Sequence, residues 1–292
     1  PWFHPRPSHP PAATASVSPR CSHCRAASLS LKGDPTEKGF TGLPGVSGSA
    51  FPLKGRFQTT KEILMSLDAH MPIGLFDSGI GGLTVLHALR RRLPGEDLIY
   101  LGDTARLPYG TKGRETIIRY SRHATQKLVD SGIKMLVIAC NTATSAALPT
   151  LREQFAPLPV MGVVEPGAAA AVAASRNKRI VIAATEATIA GNAYQEAIRR
   201  RCPEATAIGQ ACTLFVPLAE EGWTDGPIAE GVAARYLQTI FSEGSEKPDT
   251  LLLGCTHFPL FTKALRHVVG PDVHIVDSAA TTAQAVEREL QR

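Results

Sequence analysis

From Pro72 onward, short apolar runs alternate with longer segments whose apolar positions recur at helical spacing. Apolar runs bounded by turn-forming residues read as strands, and the 3.6-residue recurrence between them reads as amphipathic helix. The strands fall at IGLF (73–76), LIYL (98–101), MLVIA (135–139), VMGVV (160–164), RIVIA (179–183), TAIGQA (206–211), TLLLG (250–254) and HIVD (274–277). Helices such as LTVLHALRRRL and ETIIRYSRHATQKLV lie between them. This alternation predicts a doubly wound α/β architecture with parallel-rich sheets.

The strand ends carry the chemistry. IGLF runs into Asp77-Ser78-Gly79, MLVIA into Cys140-Asn141-Thr142, RIVIA into Ala184-Thr185 and then Thr188, and TLLLG into Cys255-Thr256-His257. Open α/β sheets bind ligands at the carboxyl ends of their strands. The clusters also repeat: a hydroxyl-bearing turn, then a strand ending in cysteine, occurs once in each half. Two similar halves whose carboxyl ends met across a cleft would bring Cys140 and Cys255 to one ligand from opposite sides.

The first 64 residues break the pattern. They are rich in Pro, Ser, Gly and Ala and contain no methionine, a composition that cannot build a core. Residues 1–70 are expected to be a disordered or non-native N-terminal extension, with Met65 and Met71 as alternative starts. Its Cys21-Ser22-His23-Cys24 resembles half a zinc site, but no second pair follows in the tail, and structural zinc takes four ligands.

Charge matters only once it is located. The net charge is +5, yet residues 1–70 hold eight Lys/Arg against four Asp/Glu while residues 71–292 hold 23 against 22. The folded part is close to neutral, which argues against nucleic acid as a partner. The runs Arg90-Arg91-Arg92 and Arg199-Arg200-Arg201 fall late in predicted helices, where cations suit the helix dipole. No apolar run approaches membrane-spanning length and no signal peptide is evident, so a cytoplasmic protein is expected.

DSGIGGLT follows a strand and opens a helix, but it is neither GxGxxG nor a P-loop. What remains is a helix start whose free N–H groups suit an anion. A cysteine acts as base or nucleophile only as thiolate, so Cys140 and Cys255 need neighbours that tune them. Asp77 is placed to reach Cys140 across adjacent strand ends, and His257 lies two residues beyond Cys255. Two thiols opposed across one carbon suit removal of a proton from one face and delivery to the other.

The motifs IGLFDSGIGG, GDTARLPYG, VIACNTAT, GVVEPG, IAATEATI, LLGCTHFPL and VDSA, in that order, resemble those of bacterial glutamate racemases, members of the aspartate/glutamate racemase superfamily. The resemblance covers nearly all of the chain beyond Pro72. It implies two similar α/β domains with the active site at their interface: residues 71–164 joined by 276–292, and residues 165–275. It further implies cofactor-independent interconversion of L- and D-glutamate, with no pyridoxal phosphate and no metal, supplying peptidoglycan synthesis.

Carried over by position, Cys140 and Cys255 are the acid/base pair, Asp77 assists the first and His257 the second, and Glu165 is expected beside His257. Asp77, Ser78, Tyr109, Gly110, Asn141, Thr142, Thr188, Thr256 and His257 would hold the substrate. Glutamate is the implied small-molecule partner, with no nucleic acid or membrane, and a homodimer is compatible with the resemblance. Cys202 and Cys212 receive no role. The nearest alternative is a related racemase acting on aspartate or another small acid; the DSG, PYG, CNT and CTH motifs favour glutamate. A purely binding, gyrase-inhibiting protein would not need both cysteines.

Because residues 1–64 contribute neither core nor motif, deletion up to Met65 should leave the melting temperature and kcat/KM unchanged. A large loss of either, by thermal denaturation and steady-state assay, would show that the extension docks on the rest.

Overall fold

The structure is a computed structural model that describes residues 70–242 and 246–291; the extension with its Cys21–Cys24 pair lies outside the described residues. Every expected strand is present: β1 Ile73–Asp77, β2 Leu98–Gly102, β3 Met135–Ile138, β4 Val160–Gly162, β5 Arg179–Ala184, β6 Thr206–Ala211, β7 Thr250–Gly254 and β8 His274–Asp277. The helices are α1 Leu83–Arg92, α2 Arg114–Asp130, α3 Asn141–Gln154, α4 Val164–Ala174, α5 Glu186–Ala190, α6 Ala193–Arg201, α7 Phe215–Glu220, α8 Gly226–Ser242, α9 Thr262–Val269 and α10 Ser278–Leu290.

The strands form two four-stranded sheets, ordered β2-β1-β3-β4 and β6-β5-β7-β8, with every pairing parallel. The second sheet thus repeats the order of the first, strand for strand. Both strands that lead into the cysteines, β3 and β7, are interior strands of their sheets.

Period-two alternation sets which way each thiol points. On β3, Leu136 and Ile138 face the same core as Cys140, while Met135 and Val137 face the opposite one. On β7, Leu251 and Leu253 share a core with Cys255, and Leu252 faces away. The two thiols therefore occupy matching stations just past the ends of matching strands, Cys140 two residues beyond β3 and Cys255 one residue beyond β7.

The fourth strand is shorter than its apolar run suggests. Val163 has α-region dihedrals (φ −79°, ψ −15°), and Val164 opens α4, burying its side chain against the second sheet. An apolar run cannot distinguish a strand from a helix start when both are buried, here in two different cores. The chain returns after β8: Ala279, Ala283 and Val286 of α10 pack on the first sheet beside Val85 and Leu89 of α1. Among the described residues no helix is long and apolar enough to cross a membrane.

The halves meet carboxyl end to carboxyl end, at contacts too close for side chains on one partner. A Cβ on Gly81 would lie 2.5 Å from Thr256 Oγ1 and 2.7 Å from the His257 ring. A Cβ on Gly110 would lie 2.7 Å from Thr185. Gly81→Ala should therefore cost about 1–3 kcal/mol by overpacking and lower the melting temperature by several degrees. Gly95→Ala, with no atom within 4 Å of the added methyl, is the control. Equal melting temperatures by calorimetry would mean the halves abut less tightly than described.

Candidate active site

The two sets of strand ends enclose a cavity of about 80 Å³. A water needs roughly 10–15 Å³ by such a measure, so the space suits one small polar molecule. The first half supplies Ser78, the segment Leu107 to Thr111, and Cys140-Asn141-Thr142; the second supplies Thr185, Glu186, Cys212, Glu220 and Cys255-Thr256-His257.

Cys140 lies two residues past β3 and caps α3. Its extended backbone (φ −66°, ψ 120°) aims Sγ at the first turn, where it accepts from the Ala143 N–H at 3.4 Å, and the thiol reaches Ser78 Oγ at 3.4 Å. Burial raises the thiol, and the nearby Asp77 charge raises it further, to about 11; the bonds from Ser78 and Ala143 act the other way. Cys140 is thus held as a neutral thiol at pH 7.

Cys255 is also buried, and burial pushes its thiol well above the ordinary range. Its Sγ lies 3.8 Å from His257 Nδ1, and His257 Nε2 lies 2.6 Å from Glu220 Oε1. A carboxylate facing Nε2 favours the proton there, leaving Nδ1 as the acceptor that faces the thiol. Glu220, on the short helix α7, is a residue the sequence reading missed. Glu165 was the carboxylate expected beside His257, and the structure corrects this: Glu165 pairs with Arg200 at 2.5 Å and Arg201 at 2.6 Å, away from the cavity lining. These arginines end α6, and only folding reveals that they draw in the carboxylate of α4. Arg92, at the end of α1, likewise pairs with Glu287 at 2.7 Å.

The DSGIGG turn does hold an anion, but it is the protein's own. Asp77 is fully buried, and its Oδ2 accepts from the N–H groups of Gly79 at 3.1 Å and Gly82 at 2.9 Å. Oδ1 is buried without a partner. Burial raises this carboxyl above its ordinary value, while the Gly82 and Gly79 N–H bonds pull it down. Asp77 therefore sits behind the cavity wall and acts on Cys140 through its field.

Hydroxyls bind the halves together. Thr142, Thr185 and Thr188 form a closed triangle with Oγ1 separations of 2.9, 3.0 and 2.9 Å. Thr142 and Thr185 line the cavity; Thr188 stands behind them. Tyr109 spends its hydroxyl on Asp103 at 2.6 Å, so Tyr109 and Gly110 border the cavity without a free phenol. Asn141 lines it too, and its Nδ2 is buried without a partner. Cys212, given no role from sequence, lies in the same wall.

A family profile described as Asp/Glu/Hydantoin racemase matches residues 81–286. A glutamate racemase from Geobacter metallireducens is 50% identical over 219 residues, 75% of this chain and 80% of that one. The crystal structure of a glutamate racemase isoform from Bacillus anthracis superposes with a TM-score of 0.73 at 35% identity, covering 76% of this chain and 82% of that one. A glutamate racemase from Francisella tularensis, solved in complex with D-glutamate, gives a TM-score of 0.71 at 36% identity over 76% and 82% of the two chains.

Alkylation of Cys140 by iodoacetamide, followed by peptide mass spectrometry, should quicken about tenfold per pH unit above neutrality and level off near 11. Asp77→Asn removes a negative charge that opposes the thiolate, so its profile should move to lower pH. An unmoved profile would show that burial alone sets the thiol.

Proposed function

The chain belongs to the Asp/Glu/Hydantoin racemase family, and we propose that it interconverts L- and D-glutamate by two cysteine thiols working from opposite sides of the α-carbon. The observation that carries this reading is that Cys140 and Cys255, at matching stations of two matching sheets, line one cavity of substrate size. One thiolate takes the α-proton and becomes a thiol; the other thiol gives its proton to the opposite face and becomes a thiolate. The products are the other enantiomer and an enzyme ready for the reverse reaction. Both acid and base are side chains of this chain, so the scheme calls for neither pyridoxal phosphate nor metal.

The electrostatics support it. Thiols held above their usual range are rarely ionised, but a bound ammonium brings a positive charge next to them in a buried site, which favours the thiolate. His257, with Nε2 held by Glu220, is the group to receive the Cys255 proton through Nδ1. Asp77, fully buried behind Cys140, acts on that thiol through its charge, which favours the protonated form.

An α-proton beside an ammonium is a weak acid, so its removal needs fixed donors where carboxylate charge builds up. Ser78, Asn141, Thr142 and Thr256 supply them, and the walls at Tyr109 and Gly110 complete the enclosure. Thr188 acts by holding Thr142 and Thr185. We assign the D-glutamate product to peptidoglycan synthesis in the cytoplasm, on the strength of the family membership.

Replacing Cys140 or Cys255 by serine should reduce racemisation at least about 10²-fold, the scale of losing one general acid or base. Elimination from a β-chlorinated or N-hydroxy glutamate needs only the first proton transfer. Each variant should retain it for one enantiomer, and the two variants should prefer opposite enantiomers, as read by chiral chromatography. If both process the same enantiomer, or either racemises glutamate near the wild-type rate, the two-base scheme is wrong.

A further inference from the structure

Asn141 has one amide and two ways to present it. Turned one way, its NH2 meets a substrate carboxylate; turned the other, its carbonyl oxygen does, and the contact becomes repulsive. Tyr194 decides between them. It is fully buried on α6 in the second half, and its hydroxyl donates to Asn141 Oδ1 at 2.5 Å across the junction of the halves. The same amide's Nδ2 is buried, unpartnered and part of a residue that lines the cavity.

The phenol is itself held. The Ser278 hydroxyl is hydrogen-bonded to it, which leaves the phenol's own proton for Asn141. Burial raises the phenol above its ordinary value, so it stays a donor. Room for the ring comes from Gly167 and Gly254, where an added Cβ would lie 3.2 Å from ring atoms. Two motifs that no role in the reaction has absorbed, GVVEPG through Gly167 and VDSA through Ser278, thus converge on this one side chain.

We propose that Tyr194 is a positioning residue that fixes the Asn141 amide with its nitrogen toward the cavity, so that it donates to a carboxylate of the bound amino acid. The inference deepens the glutamate reading and rests on it for the identity of the ligand. The interaction lies in the ground state and the transition state alike, so losing it should raise KM and spare kcat.

The test is steady-state racemisation by wild type, Tyr194→Phe, Asn141→Ala and the double variant, with Ser278→Ala as a milder perturbation of the phenol. Tyr194→Phe should raise KM roughly tenfold or more, the scale of one hydrogen bond to a charged group. Its kcat should stay within a few-fold, and the phenyl ring should preserve the fold. In the Asn141→Ala background the same change should add nothing, whereas a merely structural tyrosine would add its full effect. Ser278→Ala should fall between. A KM within twofold of wild type, or additive losses, would overturn the proposal. Wild-type turnover in the same assay is the separate test of the glutamate reading. Should it fail, the orientation is still read without ligand: the Asn141 side-chain amide resonances, identified by their loss in Asn141→Ala, must move in Tyr194→Phe, and unmoved resonances overturn it.

Discussion

Everything in the site follows from how closely two sets of strand ends are brought together. Gly81 lets the first half close on Thr256 and His257, and Gly110 lets it close on Thr185; the threonine triangle then ties the seam with hydroxyls instead of methylenes. The cavity left between them is small, and both thiols in it are buried. In such a space charge is costly, which is why both thiols are held neutral and why the buried Asp77 carboxyl is raised. The same cost becomes leverage once a charged ligand enters, because attraction to an ammonium is as unscreened as the desolvation was.

The two half-sites solve one problem with different parts. On the first side the thiol's neighbour is a carboxyl that lies behind the wall, pinned by two glycine N–H groups at the start of a helix. On the second it is an imidazole inside the wall, backed by a carboxylate from α7. The backbone repeats while the acid/base chemistry does not. Burial holds both thiols neutral, so any difference between them has to come from these unlike neighbours.

Much of this was legible in the chain. Short parallel strands bury both faces and so leave continuous apolar runs, and each polar cluster that interrupts them marks a carboxyl end. Cys140 and Cys255 could be singled out because each follows such a run. What was not legible depends on pairings between distant elements. Glu220 sits in an unremarkable LAEEG segment, and nothing in its spacing says that it will meet His257 rather than solvent. Glu165, inside a family motif, seemed the better candidate, yet the end of α6 placed two guanidinium groups beside it. Tyr194 is a lone aromatic in a polar helix, and its importance arises only where it crosses to Asn141.

The return of α10 to the first sheet has a consequence for how the molecule is made. The face of that sheet bearing Ile73, Leu75 and Val137 is completed by Ala279, Ala283 and Val286, which come after the entire second sheet in the chain. On the ribosome the first half therefore emerges early but waits, with part of an apolar face unclosed, until α10 has been synthesised. Its maturation is tied to translation of the second half, and stalled chains that end within the second sheet would present that open face to chaperones and proteases.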